Sequence, residues 1–187
     1  MKEFLKTLSI LSEEELEQID ALVYDKTITK NDYLIQEGEI CNEIVFIKSG
    51  ILRSFYLTDE GEEITNCITF ENELMSAYSS FITQSPTDEN IQALVDTQLQ
   101  IINKTELVNL YKKSNNWQKV GRELAEMQYV MLEKRIVSFQ KKNAKQRYES
   151  LLKDHPHYIQ YIPLNNLASF LGITTRHLSR LRKEISL

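Results

Sequence analysis

LNNLASFLGITTRHLSRLRKEISL, residues 164–187, is the stretch on which the reading of this chain turns. Two short helical patterns meet there at Gly172. Leu167, Ala168 and Leu171 give the first helix one apolar face, and Ile173, Leu178 and Leu181 turn a second helix against it. Gly172 sits where a tight turn needs a positive φ or a close approach, and the small Ala168 lets the helices cross closely. This is the packing pattern of a DNA-binding helix-turn-helix. Thr174 and Thr175 are placed to cap the second helix. Its outward side carries Thr175, Arg176, Ser179, Arg180 and Lys183, donors suited to guanine edges and phosphates. The plainer alternative is a helical hairpin that ends a domain with a solvated basic side.

Charge divides the chain at the same place. Overall, 22 Lys and Arg oppose 27 Asp and Glu, for a net of −5. Residues 134–187 hold 11 basic and 3 acidic residues, a net of +8, which leaves −13 on residues 1–133. A cationic tail on an anionic body suits a nucleic-acid arm joined to a part that repels phosphate.

A chain of 187 residues has material for one large or two small domains. Its opening MKEFLKTLSILSEEELEQ is too short in apolar run and too acidic for a signal peptide, and no stretch approaches 18 apolar residues. The expectation is a cytoplasmic protein with no membrane segment. Cys41 and Cys67 lack ligand spacing and read as small core residues, with a redox sensor as the lesser alternative. His155 and His157, two apart around Pro156, read as a solvated turn in preference to a metal site. No metal and no cofactor are expected.

Working back from the hairpin, Ala144–Leu152 reads as a helix ended by Pro156, and Tyr158–Ile162 as a short extended piece. Before it comes a long helix, about Asn116–Lys141. Trp117, Val120, Leu124, Met127 and Met131 recur there at steps of 3, 4, 3 and 4, a dimerisation-type seam. The seam fails at Lys134 and shifts to Leu132, Ile136 and Phe139, so a second side becomes apolar. One side would pack on the body and the other on a partner helix of a homodimer; burial of both within one monomer is the alternative. Residues 26–103 read as β. The runs 33–35, 44–47, 51–57, 64–70, 91–95 and 99–102 are separated by turn signals at Glu37-Gly38, Ser49-Gly50, Asp59-Glu60-Gly61 and Ser85–Asp88. Many short strands at this spacing suggest a sandwich or barrel, of which a jelly roll is one form. Ser12 followed by Glu15 is a capping box that starts a helix to Leu22.

An acidic β-roll, a long helix and a basic helix-turn-helix, in that order, resemble the Crp/Fnr family of bacterial transcription regulators. The residues that carry the resemblance are QEGE (36–39), FIKSGILRSFY (46–56), DEGEE (59–63), NAKQRYESLL (143–152) and ITTRHLSRLRK (173–183). It covers nearly the whole chain and implies an α+β fold. The parts would be a cyclic-nucleotide-binding-like sensor over 1–114 in a β-roll (double-stranded β-helix, jelly roll), a dimerisation helix over 115–141, and a helix-turn-helix over 142–187. After Leu181 only six residues remain, so the wing of a winged helix is missing or vestigial.

The resemblance implies a phosphate-binding cassette in FENELMSAYSSFITQSPTDENIQAL (70–94), with Gly-Glu at one end and Arg-Ser about ten residues later. Here Asn72-Glu73 stands at the first place, so a ribose contact by Glu73 stays open beside a plain turn role. Glu89-Asn90 stands at the second, where an anion replaces the phosphate-pairing cation, and residues 54–121 hold no arginine. A phosphate held beside Glu89 would meet repulsion costing several kcal/mol. On the long helix, Leu132 and Glu133 stand where hydroxyls would meet the base. The expected effector is therefore not cyclic AMP in the usual pose. A candidate pocket comprises Glu73, Phe81, Glu89, Asn90, Met127 and Met131; its occupant is another metabolite, or only these side chains. Thr174, Thr175, Arg176, His177, Ser179, Arg180, Arg182 and Lys183 are the expected contacts to double-stranded DNA, with Arg180 on a guanine and Arg182 and Lys183 on phosphate. No nucleophile–histidine–carboxylate set is legible, so an enzyme is not expected. Two readings stand beside the regulator: one that does bind a cyclic nucleotide or other small metabolite, and a ligand-binding module acting through protein contacts.

Overall fold

A computed structural model describes residues 1–156 and 159–185. At the N-terminus α1 (Lys2–Thr7) and α2 (Glu13–Leu22) precede the β-roll. α2 starts where the sequence indicates: Ser12 accepts from the Glu15 N–H while the Glu15 carboxylate accepts from Ser12 N–H, satisfying two donors that helix geometry orphans.

Eight strands follow: β1 (Tyr24–Ile28), β2 (Tyr33–Ile35), β3 (Glu43–Ser49), β4 (Leu52–Leu57), β5 (Glu63–Thr69), β6 (Leu74–Met75), β7 (Glu89–Ala93) and β8 (Thr97–Asn103). They form two four-stranded sheets, β1-β8-β3-β6 and β2-β7-β4-β5, with antiparallel pairing throughout. Between the sheets lies an apolar core that includes Val45, Ile47, Leu52, Ile91, Leu99 and Ile101. Gly50 turns β3 into β4 at φ +109°, and a Cβ there would lie 2.7 Å from the Thr97 Cα, so only glycine lets these backbones approach. A short α3 (Tyr78–Thr83) interrupts the second half of the roll.

Outside the first sheet, α1, α2, α4 (Lys104–Lys113) and the start of α5 (Asn115–Lys141) enclose a second core around Leu16, Ile19, Phe46, Ile102 and Leu110. Glu15 ties α2 to the beginning of α5 by accepting from the Ser114 hydroxyl and from Asn116 at 3.1 Å. Those hydrogen bonds hold its carboxyl well down, to about 2.

Trp117 and Val120 are buried in this second core and Leu124 is half-buried against it. The seam expected on a partner is thus used within the monomer along its first two turns, because α4 folds back beside α5. From Met127 onward one side of the helix is left uncovered. Met127, Tyr129, Val130, Met131, Leu132, Ile136, Val137 and Phe139 are exposed at 37–69%.

α6 (Ala144–Asp154), α7 (Leu164–Phe170) and α8 (Thr175–Ile185) complete the chain. Asn143 and Gln146 form a capping box for α6, and its last residue lies two before Pro156. The extended piece expected over Tyr158–Ile162 is absent at Ile159–Tyr161, which turn instead; Tyr158 lies outside the described residues. The third core joins Leu167, Ala168, Leu171, Leu178 and Leu181 to Tyr148, Leu151 and four residues of the roll, Ile51, Ile68, Phe70 and Leu94.

Candidate nucleic-acid interface and effector pocket

α7 ends in a Schellman turn. Gly172 stands at φ +65°, its N–H reaching the Ser169 carbonyl at 2.9 Å and Ile173 N–H the Ala168 carbonyl at 3.0 Å. Only a residue at ease in the left-handed region closes such a turn, and it reverses the chain so that α8 crosses α7. Thr174 caps α8: its hydroxyl accepts from His177 N–H at 3.2 Å. Leu178 and Leu181 are 0% and 4% exposed against α7.

With its apolar side fixed inward, α8 turns Thr174, Thr175, Arg176, His177, Arg180 and Lys183 outward, all exposed. Ser179 and Arg182 are half-buried, and the Ser179 hydroxyl donates back to the Thr175 carbonyl at 2.9 Å. Two of the eight sequence candidates therefore serve local structure with their hydroxyls, Thr174 as cap and Ser179 as back-bonded surface. Arg176, Arg180 and Lys183 form the outward cationic ridge.

The junction between α5 and this unit is built from Phe139, which the shifted periodicity marks as apolar, and from Arg135 and Arg147, which periodicity did not single out. Phe139 lies between two guanidiniums, Arg135 at 4.9 Å and Arg147 at 4.8 Å from its ring centroid. Arg147 donates to the Leu171 carbonyl at 2.8 Å and to Lys142, and Arg135 donates to the Phe170 carbonyl at 3.3 Å. Cations thus meet the carbonyl end of α7, where the helix dipole favours them. Phe139 also touches the site of a Gly172 Cβ, and so it is committed to the turn as well as exposed on the second side of α5.

The six pocket candidates are not gathered into one cavity. Phe81 is buried in the roll core, with the Lys104 ammonium 5.1 Å above its ring. Met127 and Met131 stand exposed on α5 beyond the core. Asn90 is buried, accepting from Glu37 N–H at 3.1 Å. The Glu73 carboxylate accepts from Phe70 N–H at 2.9 Å, closing its own turn. A pocket of about 250 Å³ lies elsewhere, lined by Leu34, Ile35, Ile40, Cys41, Ser76 and Ala77 among others.

Glu73 and Glu89 have separate partners, Glu73 the Phe70 N–H and His155, Glu89 the Ser54 hydroxyl. Burial raises the pKa of each, and both act on the Cys67 thiol, which burial also raises. The hydroxyl of Ser54, opposite Cys67 on β4, has no hydrogen-bond partner yet lies close enough to Glu89 to favour its charged form. A cation acting on Cys67 is Arg135 of α5, whose pKa burial lowers. This region is acidic and polar, with no cation of the roll opposite Glu89.

His155 is not a solvated turn residue: it stacks on Phe70 at 4.0 Å and 20°. His157 lies outside the described residues. Cys41 is buried and Cys67 half-buried, both as free thiols. Among the described residues no group of three or more His, Cys, Asp or Glu is placed to hold a metal ion, and no helix is long and apolar enough to cross a membrane.

Residues 25–114 match the cyclic nucleotide-binding domain family. A solved structure of a putative transcriptional regulator of the Crp/Fnr family from Eubacterium rectale superposes with a TM-score of 0.73 at 21% identity, covering 98% of this chain and 88% of that one. FixK2 from Bradyrhizobium japonicum gives 0.72 at 16% identity, over 88% and 84% of the two chains. The chain has the Crp/Fnr fold. A curated relative, the anaerobic regulatory protein of Bacillus subtilis, is 24% identical over 98 residues, 52% of this chain. That match spans 41% of the relative's own length. The Crp/Fnr architecture of roll, long helix and terminal helical unit is what the order of motifs implied.

Proposed function

We infer that this Crp/Fnr-type chain is a transcription regulator that binds duplex DNA through α8 and acts as a homodimer. The observation that carries the reading is α8 itself: Leu178 and Leu181 pin one side, and Arg176, Arg180 and Lys183 stand exposed on the other. On this reading Arg180 makes a two-pronged contact to a guanine edge, Arg176 and His177 reach bases or phosphate, and Lys183 and Arg182 neutralise phosphate. Thr174 and Thr175 place the helix start. The working division is a sensor over 1–114, a dimer helix over 115–141 and a DNA-binding unit over 142–187.

The dimer contact lies on the outer half of α5. Met127, Met131, Leu132 and Ile136 are exposed by 43–58%, an apolar surface that water disfavours and a second α5 would cover. Pairing of two α8 helices then suits half-sites about one turn of DNA apart.

The sensor is not built for a cyclic phosphate, because Glu89 and Glu73 are partly buried without a guanidinium of the roll to receive the anion. It takes another small molecule or none. The chain works in the cytoplasm, where its DNA is, and is not an enzyme. Fluorescence anisotropy with duplex DNA at low salt tests the reading: binding that falls steeply with salt and weakens on Arg180→Ala supports it, and no binding by the wild type refutes it. Isothermal titration with cyclic AMP or cyclic GMP checks the sensor, and micromolar binding of either contradicts it.

A further inference from the structure

β5 is the outermost strand of its sheet, and the free N–H and C=O groups of an edge strand need cover. The DNA-binding unit supplies it. Thr65 N–H donates to the Ser169 hydroxyl of α7 at 2.8 Å, and that hydroxyl donates to the Glu63 carbonyl at 3.2 Å. One side chain of α7 thus takes the place of the next strand.

Beside it lies Arg53 of β4, 2% exposed although charged. Its guanidinium donates to Asn166 of α7 at 2.8 Å, to Glu63 at 2.7 Å and to Gln92 at 3.0 Å, and stacks on Phe55 at 4.0 Å. Asn166 is itself only 7% exposed. A charge and an amide withdrawn from water together are favourable only while each answers the other, so the pair behaves as a closed-or-open contact. The stack of His155 on Phe70 and the apolar group Ile51, Ile68 and Leu94 close the remainder of the seam.

We propose that this seam is a latch by which the sensor withholds the helix-turn-helix from DNA, and that opening it tightens DNA binding. In a helix-turn-helix the first helix crosses the phosphate backbone. Here that helix is α7, whose Asn166 is buried against Arg53 and whose Ser169 is joined to the strand that begins at Glu63. DNA reaching α7 would also meet the body that carries a net −13 over residues 1–133. β5 gives the latch a route toward Glu89: Thr65 holds Ser169, and Cys67, two residues on, pairs with Ser54 of β4, which pairs in turn with β7, the strand that carries Glu89. β7 and α7 are thus joined through β4 and β5, the kind of shared element that coupling between two sites needs.

The inference rests on the regulator reading above. Its test uses three full-length proteins: wild type, the double variant Asn166→Ala with Ser169→Ala, and Asn166→Asp, which sets a carboxylate opposite Arg53. Amide exchange at Thr65 reports the latch whether or not DNA binds. Anisotropy with a mixed-sequence duplex at low salt reports its effect. The double variant is expected to exchange Thr65 at least about tenfold faster and to bind the duplex roughly fivefold or more tightly, the lower end of ordinary coupling between sites. Asn166→Asp is expected to slow the exchange and weaken binding, which keeps the test informative if the double variant fails to fold. Thr65 exchange unchanged in both variants overturns the latch, as does faster exchange with DNA affinity equal to or weaker than that of the wild type. If none of the three binds the duplex while Thr65 responds as expected, the regulator reading fails, and the withholding role with it.

Discussion

Replacing Gly172 by alanine tests the turn on which α8 depends. Two costs add. An alanine held at φ +65° is in the left-handed region, at about 1–2 kcal/mol. Its methyl would lie 2.7 Å from Cε1 of Phe139, an overpacking that costs about 1–3 kcal/mol more. Gly172→Ala should therefore destabilise the protein by about 2–5 kcal/mol, a large share of an ordinary domain's stability. The two parts separate in a double-mutant cycle. In a Phe139→Ala background the clash is gone and only the backbone cost remains, so the pair should show a coupling of about 1–3 kcal/mol. Urea unfolding followed by circular dichroism, with fluorescence of the single Trp117 as a second probe, measures all four proteins. Additivity within about 0.5 kcal/mol would refute the packing of Phe139 against the turn. A Gly172→Ala protein as stable as wild type would refute the turn geometry as well.

Arg180→Ala should cost about 1–3 kcal/mol in specific DNA affinity and relax selectivity at one base pair, whereas Lys183→Ala should weaken all duplexes alike and lower the salt slope by about one; titrations at several salt concentrations distinguish them. Met131→Glu with Ile136→Glu should convert a dimer to a monomer in sedimentation at micromolar concentration, and an unaltered mass would remove α5 from the interface. Burial raises the pKa of Glu89, so folding favours its protonated form: that stability is present below the ordinary carboxylate range and is lost as pH rises through the raised value. Glu89→Gln should thus stabilise the protein at pH 7 and have little effect near pH 4, which thermal unfolding at both pH values checks; equal effects at the two would contradict it.

Much of the fold was legible because its signals are local. The Ser12–Glu15 box, six of the strands and the turn at Gly172 all rest on residues a few positions apart, and each appears where those residues place it. β1, YDKTI, escaped because four of its five residues are exposed and no alternation marks it. β6 has two residues, too few for a pattern, and α3 is a six-residue helix without a capping hydrogen bond. The long helix was found, but its seam was assigned to a partner where Trp117 and Val120 pack within the monomer. Periodicity identifies an apolar side without saying what covers it.

The candidate DNA side was legible for the same local reason, since the positions of Leu178 and Leu181 alone decide which way Arg176 and Arg180 face. The pocket was harder. Glu73 and Glu89 sit in separate turns and strands with different partners, and Phe81 is buried in the roll core while Met127 and Met131 stand exposed on α5. Arg53 gave a single clue, a lone charge inside the apolar run ILRSFY. Its partners Glu63, Gln92 and Asn166 are 10, 39 and 113 residues away, beyond any local pattern.

Selection from a randomised pool of duplex DNA by the full-length protein is the most direct trial of the central claim. The account predicts enriched sites with twofold symmetry, their half-sites about 10 base pairs apart centre to centre, and loss of the enrichment with Arg180→Ala. A pool that emerges unenriched, or one enriched equally by the Arg180→Ala protein, would contradict it.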